Sequence, residues 1–464
     1  MKGIFLGFLT IGALYIMSPN PALAQKQYQD IPQKTRIMFL LDGSGSMLGQ
    51  WEGTTRMRVA KKLLSDLVDS LKVDTRVELA LRVYGHQYHR RLQNCKDSKL
   101  EVGFKANNHQ QIIQKLQRIT PQGTTPIAYS LEQLANDFPA DDGYRNIVII
   151  ITDGLESCDG DPCAVSTTLQ KRRIFLRPFV IGLGMNRSFE QQFDCLGRFF
   201  DARNIRSFRQ VLNTTLRQTL AETTVSIELL DQQDRPRETN INVSFINSVT
   251  NQSEFEFVHY RDQRGRPDSV RVDAVMPYDI VANTIPPVIR PNVLLKGGQH
   301  NVISLKTPQG QLKLTHRNHS EYGGPVQVLI RKAGSNVIIH TQTSNQAQNY
   351  LAGAYQMEVL TLPRISRQFT VTANQSMEVD IPAPGVLNIN SNVAGNGSLF
   401  LIRGDKTQKW LLNLSGKPQS TRGIQPGDYK LVFRAVNAKG SKYTEIHEFT
   451  ITSGSTKTIN LFRK

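Results

Sequence analysis

Residues 41–47 read Leu-Asp-Gly-Ser-Gly-Ser-Met, so Asp42, Ser44 and Ser46 place three short oxygen-bearing side chains at i, i+2 and i+4. Glycine at the two intervening positions lets a loop curl tightly enough for the three to converge on one point. A carboxylate and two hydroxyls are hard oxygen donors of the kind that suits Mg²⁺ with its shell of six oxygens. The plainer use of such a loop is to cap the N-terminus of the helix that follows.

The surrounding pattern says where this loop must sit. Thr35 to Leu41 is a continuous apolar run, as expected of a strand buried on both faces. Val59, Leu63, Leu64, Leu67, Val68 and Leu71 then recur at helical spacing, and Val77 to Tyr84 reads as a second strand. Ile112, Leu116 and Ile119 mark a short helix, and Ile127, Leu131, Leu134 and Phe138 another. Asn146 to Ile151 is the strongest buried-strand signal in the chain; helix (164–173), strand (175–182) and a final helix lined by Phe208, Val211, Leu212, Leu216 and Leu220 follow. Strands alternating with helices imply a mostly parallel, doubly wound α/β sheet covered on both faces. In such sheets ligands bind outside the carboxyl ends of the strands, where Asp42 falls.

Two later segments belong at the same edge. Gly123-Thr124-Thr125-Pro126 heads the 127–138 helix, and Thr152-Asp153-Gly154 ends the 146–151 strand. With these in place, residues 35–221 resemble a von Willebrand factor A domain with a complete metal-ion-dependent adhesion site. The resemblance implies Ser44, Ser46 and Thr125 as direct ligands of Mg²⁺ (Mn²⁺ or Ca²⁺ as alternatives), with Asp42 and Asp153 acting through water. Thr125 is preferred to Thr124 because the family places its ligand directly before Pro-Ile or Pro-Leu. It also implies a protein partner that presents an Asp or Glu. The electrostatics agree, because two carboxylates at one sheet edge repel unless a cation neutralises them. Neutral hydroxyl ligands would leave that cation electrophilic toward a partner's carboxylate.

Enzymatic readings fit less well. Ser44 or Ser46 as a nucleophile would need His86 or His89 as base, but there is no G-x-S-x-G elbow, and both histidines read as surface-loop residues. No G-x-x-x-x-G-K is present, and Asp42 would repel a phosphate. Trp51 is either an exposed contact beside the metal or a cover for the helix start. Four cysteines, Cys95, Cys158, Cys163 and Cys195, allow three pairings in an oxidising compartment. The short spacing of Cys158 and Cys163 favours a bridge between them, leaving Cys95 with Cys195. The absence of a C-x-x-C pair argues against zinc.

Beyond Thr223 the hydrophobic period switches to two, as in Val225-Ser-Ile-Glu-Leu and Phe369-Thr-Val-Thr. A repeat of about 75 residues is visible. Tyr278 precedes Thr284-Ile285-Pro286 as Tyr355 precedes Thr361-Leu362-Pro363, and Gly427-Asp-Tyr429 echoes Gly353-Ala-Tyr355. This predicts three all-β, sandwich-like modules in tandem, at 224–308, 309–384 and 385–464, whose tyrosines brace a corner by bonding to backbone. Residues 1–24 read as a signal peptide: Lys2, an apolar run from Ile4 to Met17, and Ala22-Leu-Ala24 as a cleavage site. The expected location is the periplasm or the outside of the cell, with no transmembrane segment after cleavage. The net charge of +17 is carried by scattered basic residues rather than one aromatic-interleaved cluster. That pattern excludes a nucleic-acid footprint and allows loose attraction to acidic envelope polymers. The expectation is therefore a non-enzymatic, Mg²⁺-dependent protein-binding module. The alternative is an envelope scaffold in which the β modules bind and the metal only stabilises the first domain.

Overall fold

A computed structural model describes residues 32, 34–141, 143–175, 180–183, 196, 199–202, 204–316 and 324–462. The segment read as a signal peptide lies outside these. Contacts divide the chain into two compact units, 1–221 and 222–464.

The first unit is built on a central sheet of β1 (Lys34–Asp42), β2 (Val77–Tyr84), β3 (Ser98–Lys105), β4 (Tyr144–Thr152), β5 (Ile174–Phe175), β6 (Val180–Leu183) and β7 (Phe199–Ala202). The strand order is β3-β2-β1-β4-β6-β7, with β5 also pairing with β4. Only β3 runs antiparallel, against β2; β1 pairs in parallel with both β2 and β4. Side chains alternate across a strand, so β1 feeds two cores. Ile37, Phe39 and Leu41 pack with residues of α1 (Arg56–Ser70), α2 (His109–Arg118) and α5 (Ile205–Leu220). Met38 and Leu40 pack with residues of α3 (Ile127–Asp137) and α4 (Pro162–Lys171). Helices on both faces force every βα loop to the rim, and the carboxyl end of β1 opens there. The long strand expected over 175–182 is observed as β5 and β6, and residues 176–179 between them lie outside the described residues. The edge strands β3 and β7 were not anticipated. The burial of β3 is mixed (Ser98 to Lys105 alternate irregularly), so it carries no clean period.

The second unit contains the same pair of sheets three times over. Each pair joins a three-stranded sheet to a four-stranded one, formed by residues 224–306, 309–381 and 385–461. In every pair the first and last strands lie side by side and parallel: Thr224–Leu230 with His300–Lys306, Gln309–His316 with Ser376–Ile381, and Gly385–Ser391 with Thr456–Leu461. Tyr278, Tyr355 and Tyr429 are buried and donate their hydroxyls to the carbonyls of Asp273, Leu351 and Gln425 at 2.6–2.7 Å. Thr284 and Thr361 close the Thr-Ile-Pro and Thr-Leu-Pro turns by donating to the carbonyls of Pro286 and Pro363. Those turns also link neighbours. Ile285 packs on the core of the next segment, and its carbonyl accepts Leu351 N (2.8 Å). Leu362 does the same one segment later, accepting Gln425 N (2.7 Å).

The cysteine pairing expected from spacing is wrong. Cys95 is bonded to Cys158, which excludes both Cys158–Cys163 and Cys95–Cys195. The reason is the helix start between the two close cysteines. Asp161 caps α4 by accepting Cys163 N and Ala164 N, so Cys163 is committed to the first helical turn while Cys158 stays in the preceding loop. Cys163 is itself disulfide-bonded, and Cys195 lies outside the described residues.

Candidate functional site

Three loops meet at the carboxyl ends of β1, β2 and β4. The β1 loop is pinned to its neighbours by backbone bonds: Gly43 N to Tyr84 O (2.7 Å), Gly45 N to Gly123 O (3.0 Å) and Gln122 N to Gly43 O (3.0 Å). Gly123 N in turn donates to Gly85 O at 2.8 Å. The packing depends on glycine at Gly85, where φ is +67° and a Cβ would stand 2.3 Å from Thr124 O and 2.9 Å from Ser44 N.

At this junction Asp42 is fully buried at the end of β1. Its Oδ1 accepts Ser44 N (2.7 Å) and its Oδ2 accepts the Thr152 hydroxyl (2.7 Å). Ser44 Oγ and Ser46 Oγ lie 2.8 Å apart, and Ser46 Oγ donates to Asp153 Oδ1 at 2.7 Å. Ser44 does precede a short 3₁₀ turn, Gly45–Leu48, but its side chain makes no capping bond. The loop is therefore not serving as a helix cap. A Cβ placed on Gly154 would come within 3.8 Å of Ser46 Oγ and 3.9 Å of Thr125 Oγ1, so those two hydroxyls border the same small space. Thr124 points its hydroxyl elsewhere, to Asn94 O (3.0 Å).

The charge balance is uneven. Burial, then the nearby charge of Asp153, pushes the Asp42 carboxyl up to about 6. Tyr84, level with Asp42 in the strand register, is fully buried, and its hydroxyl lies beside Asp42 and Thr152 without a partner at full hydrogen-bonding geometry. Burial and the charge of Asp42 raise this phenol well above its ordinary value. One cation is already present: Arg56, at the start of α1, donates from Nη1 to Asp153 Oδ2 at 2.8 Å, and the Asp153 side chain has no exposed surface. Two carboxylates and three hydroxyls make a donor set a hard divalent cation could use. Among the described residues there is no cluster of three or more His, Cys, Asp or Glu that would bind metal another way.

All five residues singled out from the sequence thus fall on one rim. Arg56, Tyr84 and Thr152 were missed. Thr152 directly precedes Asp153, and Tyr84 ends the second strand as Asp42 ends the first, so both could have been read from strand ends. Arg56 lies 97 residues from Asp153 and leaves no local signal. One expectation about side chains changes, and one open alternative is decided. His86 is not a surface residue, because its ring lies 3.0 Å from Glu101 Oε1 with only 9% of the side chain exposed. Trp51 is half-buried against the α1 core, which makes it a cover.

The disulfide ties the β2–β3 loop to the loop after Asp153, beside Thr124 and Thr125. Among the described residues no helix is long and apolar enough to cross a membrane.

Residues 37–156 match the von Willebrand factor type A domain model. Two Bacillus subtilis (strain 168) relatives are both uncharacterised. YwmC is 29% identical over 203 residues, covering 43% of this chain and 88% of the relative. YwmD is 31% identical over 181 residues, covering 38% and 78%. Among solved structures, BatB from Bacteroides thetaiotaomicron is 20% identical over 39% of this chain and 99% of its own, with a TM-score of 0.31. The pilus adhesin SpaC from Lactobacillus rhamnosus GG is 9% identical over 92% of this chain and 83% of its own, with a TM-score of 0.35. Through its first unit, this chain belongs to the von Willebrand factor type A domain family.

Proposed function

We propose that the protein is an exported, non-enzymatic binding protein whose first unit captures a protein partner through a bound divalent cation, Mg²⁺ before Mn²⁺ or Ca²⁺. The observation that carries this is the run of oxygens from Ser44 through Ser46 to Asp153 beside the fully buried Asp42. Ser44, Ser46 and Thr125 would supply neutral oxygens. Asp42 holds the loop by accepting Ser44 N, and Asp153 orients the Ser46 hydroxyl. A cation held mainly by neutral oxygens offers an electrophilic face to a partner's Asp or Glu. The two carboxylates, Asp42 fully buried and Asp153 with no exposed side-chain surface, favour added positive charge there. The leader-like first 24 residues and the disulfide support an oxidising compartment outside the cytoplasm.

One observation favours the scaffold reading. Arg56 already gives Asp153 a counter-charge, so the rim is partly neutralised without metal. A metal titration tests the first requirement of capture, and partner binding by the full chain that persists in chelator would favour the scaffold. Binding to the native state alone stabilises by RT ln(1 + [L]/Kd), about 2.7 kcal/mol at a hundredfold excess over Kd. Millimolar Mg²⁺ should raise the melting temperature of the first unit in the wild type and leave Asp42→Ala unmoved. A wild-type transition indifferent to Mg²⁺ and Mn²⁺ would remove the metal, and with it the capture mechanism.

A further inference from the structure

The loop between β2 and β3 carries a surface that the metal-binding reading does not use. Residues 86–96 contain His89, Arg90, Arg91 and Lys96 with Tyr88 and Leu92, and no carboxylate. The next residue, Asp97, is fully buried and accepts the backbone N–H groups of Gln87 and Tyr88 at 3.1–3.2 Å. Arg90 N donates to Gln122 O (2.8 Å), and Cys95 is bonded to Cys158. A 3₁₀ turn over Arg90–Leu92, ended by Gln93 in the left-handed region (φ 44°), projects these residues from a braced backbone. The loop is thus held in one shape while Leu92 is 68% and Tyr88 46% exposed.

This turn adjoins the β1 loop. A Cβ on Gly45, between Ser44 and Ser46, would sit 3.7 Å from Arg90 Cδ, and one on Gly123 would sit 2.8 Å from Tyr88 O. Leu48, in the same turn as Ser46, is 53% exposed. The loop after Asp153 has the opposite charge, and most of it is committed. Glu156 accepts Ala128 N and Cys158 N, Asp161 caps α4, and Asp159 stands exposed. Single exposed apolar residues are ordinary. A rigid turn that sets two arginines and two apolar side chains beside a carboxylate-seeking site is a more specific arrangement. The gradient from Asp159 toward Arg90 and Arg91 would draw an acidic segment over the turn.

Resting on the capture reading above, we infer that the 88–92 turn is the second contact of the site and selects an acidic protein segment. In that segment the carboxylate bound at the rim is followed, within about four extended residues (~13 Å), by another carboxylate and a large apolar side chain. Arg90 and Arg91 take the second carboxylate; Tyr88 and Leu92 take the apolar group.

The test uses the full chain, immobilised in Mg²⁺, and two displayed dodecapeptide collections with random flanks, one with a fixed central Asp and the other with a fixed central Asn. The expected result is retention of the Asp collection alone, with Asp/Glu and Leu/Phe/Tyr enriched on one side of the centre. The Arg90→Glu/Arg91→Glu protein should keep the Mg²⁺-induced melting shift yet lose acidic enrichment, and a resynthesised wild-type winner should bind it at least about tenfold more weakly. Leu92→Ser should lose only the apolar preference. Asp-dependent retention with random flanks, or flanks unchanged by charge reversal, overturns this inference while sparing the capture reading. Equal behaviour of the Asp and Asn collections overturns both. Binding of an anionic polysaccharide to the same arginines in chelator would also overturn it, since the turn would then act as bulk charge.

Discussion

In the α/β unit a buried carboxylate, a second shielded carboxylate and a buried phenol raised by the first gather at one sheet edge. In the β unit the phenols of Tyr278, Tyr355 and Tyr429 each donate to a carbonyl four or five residues upstream. Both sets are buried, so burial alone does not distinguish them. A polar group satisfied within its own segment serves folding, because an unmade hydrogen bond there would cost stability. Groups that repel one another or lack a partner cost stability as they stand, and their retention points to a ligand. The contrast sets the strained polar groups on the α/β rim and the locally satisfied ones in the β segments.

The largest expected effect tests whether the two units are energetically separate. Removing the Cys95–Cys158 bridge (Cys95→Ser/Cys158→Ser), whose cysteines are 63 residues apart, should destabilise the first unit by about 4 kcal/mol. Calorimetry should show the transition of the first unit falling and that of the second unmoved. If both fall together, the division into independently satisfied regions is lost.

A pair of conservative changes sharpens the contrast between the phenols. Tyr355→Phe keeps the ring but deletes the bond to Leu351 O, and should cost about 1 kcal/mol in the second unit. Tyr84→Phe removes a hydroxyl that meets Asp42 and Thr152 only outside full hydrogen-bonding geometry, and in chelator should cost less than the Tyr355 change. Equal losses in denaturant titrations would show that the Tyr84 hydroxyl is satisfied after all.

The smallest effect concerns Glu101. Burial alone would raise its pKa, but hydrogen bonds from Lys115, His86 and Lys99, with the charge of Lys115, hold it at about 2. A carboxyl depressed on folding contributes stability that is present above its unfolded value, near 4.5, and is lost as pH falls toward 2. The melting difference between wild type and Glu101→Gln should therefore be full at pH 6 and narrow steadily between pH 4.5 and 3. A difference that is constant over this range would mean the cluster does not stabilise the folded state.

Much of the α/β fold could be read directly. Val77–Tyr84 is observed as read, and the Asn146–Ile151 signal lies inside β4, because strands buried on both faces leave unbroken apolar runs. The Asp42, Ser44, Ser46 spacing was legible because it is local. What failed was long-range or directional. The cysteine pairing turned on where α4 begins, since Asp161 and Pro162 start a helix between Cys158 and Cys163. The pairing of Arg56 with Asp153 spans 97 residues. His86 was misread because its partner Glu101 sits on β3, the strand whose mixed burial hid it.

The parallel pairing of first and last strands in each β segment has a consequence for load. The chain enters such a segment at one end and leaves at the other. Tension applied through the chain therefore slides the two terminal strands past each other along their length. Their cross-strand bonds then resist in shear, all at once, instead of parting one by one as in a hairpin peeled from its open end. Seven, six and six register pairs hold the three closing ladders, so each segment should yield abruptly at high force. A protein that grips a partner at one sheet edge would thus carry three shear-loaded links in series behind its grip.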